Sequence, residues 1–171
     1  MTDDIGAQPA EPAAPAMTDD IGAQPAEPAA SATTGDRLRL AAAVAAGLGL
    51  AIAAYLTYVH YAGVAPICAA SGGCERVQSS TYAKVAGVPV ALMGVVGYAA
   101  ILIATLLPGE PSRLAACWLA LVGLGFSLYL TYLELFEIDA ICQWCLASAG
   151  IMAALAVMTT LRAVSSPADG Y

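Results

Sequence analysis

Charge is scarce in this sequence. Asp, Glu, Lys and Arg make up 11% of its 171 residues, where a soluble domain of ordinary composition carries about 25%. That shortage argues against an ordinary cytosolic protein. Basic residues are rarer still: six Lys and Arg in all, none before Arg37. With no basic patch to meet a phosphate backbone, nucleic-acid binding is disfavoured. The single His, His60, argues against a His-based metal or acid–base site. The acids are unevenly placed. Seven fall within residues 1–36, while the rest of the chain holds six acids and all six bases. The net charge of −7 therefore belongs to the N-terminal stretch.

That stretch also lacks apolar side chains. Residues 1–14 read MTDDIGAQPAEPAA, and residues 17–30 repeat them without a change. Ala, Pro, Asp and Glu cannot bury enough apolar area to offset the entropy of ordering, so composition predicts a disordered tail over residues 1–36. A duplication, or a start at Met17, accounts for the repeat more simply than a solenoid does.

What is abundant is apolar sequence. Leu40–Val59, Val88–Leu107, Leu114–Leu133 and Trp144–Leu161 contain no charged residue. A helix rises about 1.5 Å per residue, so about twenty residues cover a hydrocarbon core of about 30 Å. Buried helices of a soluble bundle need a polar face, and these runs lack one. The fold class expected is an all-α membrane protein: a bundle of four transmembrane helices over residues 37–164, with a short C-terminal tail at 165–171. The first run is too long for a cleaved signal peptide and has no basic start, so it reads as an anchor. Arg37, Arg39, Arg113 and Arg162 fall on one side, which the distribution of basic residues makes cytoplasmic. Both termini are then cytoplasmic, and Tyr61–Gly87 and Glu134–Gln143 face outward. Tyr55, Tyr58, His60, Tyr61, Tyr129, Tyr132 and Trp144 gather at the outer boundary, as interfacial aromatics do. Glu134, Glu137 and Asp139 read as a solvated loop. The span glycines, Gly47, Gly49, Gly94, Gly97, Gly123 and Gly125, read as packing positions.

Four of the five cysteines, Cys68, Cys74, Cys142 and Cys145, fall on the outward side, and Cys117 lies mid-span. The outer face of a bacterial-type inner membrane is oxidising, so disulfides form and persist there. Cys68 and Cys74 bracket the small, flexible loop AASGG, and Cys142-Gln-Trp-Cys145 stands where the last helix begins. A helix N-terminus favours the thiolate, the form that attacks disulfides. Thiol–disulfide redox chemistry, structural disulfides and a four-thiolate metal site are all compatible with this spacing. Closing short loops contributes least to stability, which weighs against a structural role. Cys117 reads as an inert small apolar residue.

The stretch CERVQSSTYAKVAGVPVALMGVVGY (Cys74–Tyr98) and the stretch IDAICQWCLAS (Ile138–Ser148) resemble the vitamin K epoxide reductase family, in particular its bacterial disulfide-forming branch. A loop Cys, a following Ser, a Gly–Pro pattern opening the second helix (Gly87-Val88-Pro89) and a CxxC helix start carry the resemblance, which covers about residues 36–164. It implies a four-helix bundle around a quinone, ubiquinone or menaquinone. It also implies a thioredoxin-like (DsbA-like) periplasmic thiol protein as a separate partner, because only ten residues follow Leu161. By motif position, the resemblance makes Cys68 the residue that exchanges with the partner. Cys74 then passes the disulfide to and from Cys142, and Cys145 faces the quinone. Ser79 or Ser80 takes the family's loop-Ser position, and Trp144 either stacks on the quinone or anchors the helix. Arg76 and Lys84 assist the quinone oxygen or meet lipid phosphates. Two positions depart from the vertebrate pattern: Val90 stands where those enzymes have Asn, and Ala149 where they have Tyr. Both departures argue against vitamin K epoxide reduction as the activity.

Overall fold

The computed structural model describes residues 28–68 and 73–165, with side chains from Thr34 onward. It is built from helices: α1 (Pro28–Ala62), α2 (Gly73–Ser79), α3 (Val90–Leu106), α4 (Glu110–Phe136) and α5 (Gln143–Val164). A 3₁₀ turn (Thr81–Ala83) and two short strands, β1 (Lys84–Val85) and β2 (Val88–Pro89), link α2 to α3. Of these helices, α1, α4 and α5 are long and apolar enough to cross a membrane, and α3 is a shorter apolar helix.

Three boundaries differ from the sequence expectation. Helix α1 starts at Pro28, inside the stretch assigned to a disordered tail. The segment PAASATTGD combines a Pro, which suits a helix start, with Ala, which favours helix, ahead of a long apolar run. Residues 1–27, which hold the first repeat and most of the second, lie outside the described residues. The second apolar run does not begin as helix at Val88. Val88 and Pro89 instead pair with Val85 and Lys84 in an antiparallel ribbon, so the helix starts at Val90. The connecting Ala86 and Gly87 both have positive φ, +51° and +84°. Two-residue hairpin turns require that backbone, and Gly87 adopts it without a Cβ penalty. Finally, the outward segment carries its own helix, α2.

The four long helices close a ring: α1 packs on α3 and α5, and α4 packs on the same two. Ala42, Ala46, Ala53, Ala120 and Ala156 lie buried among Tyr98, Ile101, Met152 and Leu155. Small side chains let these backbones approach closely. Gly49 is required: a Cβ there would lie 2.2 Å from the Tyr98 ring. Gly94 and Gly123 also face close neighbours, Ala53 and Met152. Gly47, Gly97 and Gly125 face open space, so packing explains only half of the expected positions. The outer surface is apolar, with Leu48, Val96, Trp118, Val122 and Leu128 all exposed. Water disfavours such a surface and lipid accepts it.

At one end of the bundle, Arg39 donates through Nε to the Thr105 carbonyl at 3.2 Å and through its other guanidinium nitrogen to the Leu106 carbonyl. Those carbonyls end α3 and have no helical partner. Arg113 and Arg162 share this end, where Arg162 is repelled by Arg113 and Arg39. The cysteine pairs lie at the other end.

Candidate redox site

The site begins with the covalent link Cys68–Cys74, whose Cα atoms lie 6.4 Å apart. Cys74 and Val77 are one helical turn apart on the inward face of α2, and both are buried. They form a cluster with Cys142, against which Cys68, Ile138, Ala140, Trp144 and Cys145 pack. Cys68, Cys74, Cys142 and Cys145 thus meet in one place. Gly73 makes the approach possible, because a Cβ there would come within 2.5 Å of the Ile141 carbonyl oxygen.

Cys142 is the N-cap of α5, and its sulfur accepts the Cys145 backbone N–H at 3.4 Å. It is fully buried, whereas Cys145 is partly exposed, and both are free thiols. Hydrogen bonding from the Cys145 thiol outweighs the opposing cost of burial and holds the Cys142 thiol below its ordinary range. A helix start acts in the same direction.

Glu134 corrects the sequence reading. It does not belong to a solvated loop: it is 7% exposed, and its Oε2 accepts the Cys142 backbone N–H at 3.1 Å. Its carbonyl accepts the Ala140 N–H at 3.2 Å, which folds the α4–α5 link back over the carboxyl. Asp139, with φ of +50°, makes the turn. Its neighbours Glu137 and Asp139 are exposed, as expected. The local sequence ELFEID does not distinguish the buried acid from the solvated ones. Only its place on the last turn of α4, opposite the start of α5, does so.

A cavity of about 170 Å³ opens beside the dithiol, comparable to the ~150 Å³ that holds one benzene-sized ring. Cys145 and Ser80 lie in its wall, with Tyr82, Tyr98, Glu134 and Ser148 among the polar groups. Its remaining wall is largely apolar and includes Val90 and Ala149, the two positions that depart from the vertebrate pattern. Tyr98, missed as a site residue, is held by its hydroxyl at 2.8 Å from both the Ser148 carbonyl and the Ser148 Oγ. Its motif stretch was visible in the sequence, but its inward direction was not.

Two residues expected as cofactor contacts, Trp144 and Ser79, are not in the cavity wall. Trp144 does not line the cavity: its Nε1 donates to the Ile67 carbonyl at 2.8 Å, and its ring lies 5.2 Å from that of Tyr55. The Tyr55 hydroxyl in turn accepts the Ile67 N–H at 2.9 Å. Two aromatic side chains therefore hold both backbone groups of the residue preceding Cys68. Ser79 is exposed and donates to the Arg76 carbonyl at 3.3 Å. Ser80, which does line the cavity, donates to the Val77 carbonyl at 2.7 Å and closes α2. Neither Arg76 nor Lys84 reaches the cavity wall.

Cys117 stands apart from this cluster, its sulfur 3.5 Å from Thr160 Oγ1. It lies seventeen residues before Glu134 on α4, or about 25 Å along the helix. Among the described residues, no three or more His, Cys, Asp or Glu side chains form a group suited to a metal ion. With Cys68 and Cys74 bonded to each other, the four-thiolate arrangement is not present.

A multi-pass helical membrane protein that gathers a disulfide and a dithiol at one end is built for thiol–disulfide redox chemistry. The model of the vitamin K epoxide reductase family matches residues 40–160, most of the chain and every cysteine described above. The chain belongs to that family, and so to a class of membrane oxidoreductases.

Proposed function

We propose that this protein reoxidises a separate thioredoxin-like periplasmic thiol protein and passes the two electrons to a membrane quinone, supporting disulfide formation. In this reading residues 37–164 form one redox unit with four membrane crossings in the bacterial inner membrane. Both termini are cytoplasmic and the redox cysteines periplasmic. The observation that carries the proposal is the grading of the four cysteines. Cys68 is partly exposed, Cys74 and Cys142 are buried together, and Cys145 stands in the cavity wall.

The steps follow from that order. A partner thiolate attacks the Cys68–Cys74 disulfide at Cys68 and releases Cys74 as a thiolate. Cys74 attacks Cys142 of a Cys142–Cys145 disulfide, and Cys145 leaves. The partner's second thiolate attacks the mixed disulfide, leaving the partner oxidised and Cys68 free as a thiolate. Cys68 then closes on Cys74, which frees Cys142. The result is a loop disulfide beside a reduced CxxC, the bonding state of this structure. Each transfer is thiolate attack on sulfur, so thiolate fraction and leaving-group acidity set its rate. A quinone bound in the cavity supplies an acceptor for two electrons and two protons. Cys145 is the thiol within its reach, Tyr98 and Ser80 offer hydroxyl groups, and the apolar wall excludes water. Vitamin K epoxide reduction is the weaker reading, because Val90 and Ala149 bring no hydrogen-bonding side chain to the wall.

The test is quinone absorbance after mixing purified protein, ubiquinone or menaquinone, and a reduced thioredoxin-like protein. Quinol formation that fails on replacement of Cys68, Cys74, Cys142 or Cys145 is expected. No reduction of either quinone, with zinc bound by the thiols instead, would overturn the proposal.

A further inference from the structure

The mechanism above leaves one buried ionisable group unused. Glu134 lies in the same cavity wall as Cys145, and its Oε2 accepts the Cys142 backbone N–H at 3.1 Å. Among the described residues it forms no ion pair, and no Lys, Arg, His or Asp lines the cavity. The titratable groups around it are Cys142 and Cys145 on α5, Tyr98 on α3 and Tyr82 on the 3₁₀ turn. The parts of α1 and α2 that reach the cavity, Ile52, Ala53, Leu56, Val77 and Gln78, bring none. A carboxyl so placed is not explained by stability, since burying an acid without a cation is unfavourable. Its bond to the Cys142 N–H engages Oε2, and the side chain lies in the cavity wall.

We infer that Glu134 is the proton carrier of the quinone-reducing step, taking protons from the CxxC thiols and delivering them into the cavity. The inference rests on the quinone reading above and adds the route of the protons to it. The balance is complete. The S–H bonds of Cys142 and Cys145 break and the Cys142–Cys145 bond forms. Two electrons reach the quinone, and its two oxygens each gain a proton. The Glu134 carboxyl accepts each thiol proton in turn and is restored after each delivery. No water path through an apolar wall is then needed. A proton acceptor must come within hydrogen-bond reach of the group it serves, and among the described residues Glu134 is the one carboxyl in the cavity wall that holds Cys145.

Glu134→Gln tests this with little change of shape, since the amide oxygen still accepts the Cys142 N–H. Wild type, Glu134→Gln and Glu134→Asp are compared in two assays. In the first, with quinone and reduced partner, Glu134→Gln is expected to slow quinol formation by about 10²-fold, in the range of a lost acid–base group. Glu134→Asp is expected to recover part of the rate. Exchange between partner and the Cys68–Cys74 disulfide should stay at the wild-type rate in both. In the second, without quinone, Cys145 alkylation is followed against pH. A carboxyl coupled to the thiols adds an inflection to the wild-type profile, and Glu134→Gln should lack it. Quinol formation by Glu134→Gln within about twofold of wild type would overturn the inference and leave the quinone reading standing. So would identical alkylation profiles. No quinol from the wild-type chain would overturn both.

Discussion

Cys142 and Cys145 differ by three positions and by a whole environment. One caps a helix, fully buried against Cys74, and the other borders a cavity. Cys145→Ala is therefore expected to abolish quinol formation and leave the partner reduced. Normal turnover by that variant would show that another group meets the acceptor. Cys117 gives the converse case. Its nearest polar partner is Thr160, far along the bundle, so Cys117→Ala should keep full quinol formation in the same assay. The gathering of Cys68, Cys74, Cys142 and Cys145 at one end of the bundle, away from Arg39, Arg113 and Arg162, was readable from the sequence. The burial of Glu134 was not, since three acids close together in one link carry the same local signal. Trp144 was half readable: its place at the boundary was evident, but its hydrogen bond to Ile67, 77 residues away in the chain, depends on tertiary structure.

At the level of elements, two contacts hold the site together. Tyr55 on α1 and Trp144 on α5 grip the backbone of Ile67 from both sides, and so tether Cys68 to the CxxC helix. Trp144→Phe keeps the ring and removes the donor. It is expected to cost about 1 kcal/mol, the net value of one hydrogen bond. Cys68 should become more readily alkylated after reduction, and unchanged alkylation would show that the tether is idle. Helix α1 meets α3 through Gly49 against Tyr98. Gly49→Ala forces a methyl into the ring and is expected to destabilise the bundle by about 1–3 kcal/mol, read as lower thermal stability in detergent. Because Tyr98 lines the cavity, quinone affinity should fall as well. The apolar runs were legible because a membrane demands composition rather than pattern. The start of α3 was not, because Val88 and Pro89 suit an apolar helix start and a strand end equally well by composition. The pairing with Lys84 and Val85 decides it.

Across the whole molecule, the two ends of the bundle divide the work. Three arginines gather at one end, Arg39 capping α3, and the cysteines, Glu134 and the cavity occupy the other. The family and its helical membrane architecture followed from two short motifs and the apolar runs, and the match over residues 40–160 agrees with them. The order of the cysteines in the relay was already implied by the resemblance; what the motifs did not contain was their packing, with Cys74 and Cys142 buried together and Cys145 in the cavity wall. That order is the central claim: electrons entering at Cys68 cross from Cys74 to Cys142 and leave from Cys145. Its most direct test is disulfide mapping of the Cys145→Ala variant by mass spectrometry under non-reducing conditions. With its CxxC partner gone, Cys142 should be found bonded to Cys74, leaving Cys68 free. A Cys142–Cys68 bond, or a Cys142 that never joins the loop cysteines, would contradict the relay.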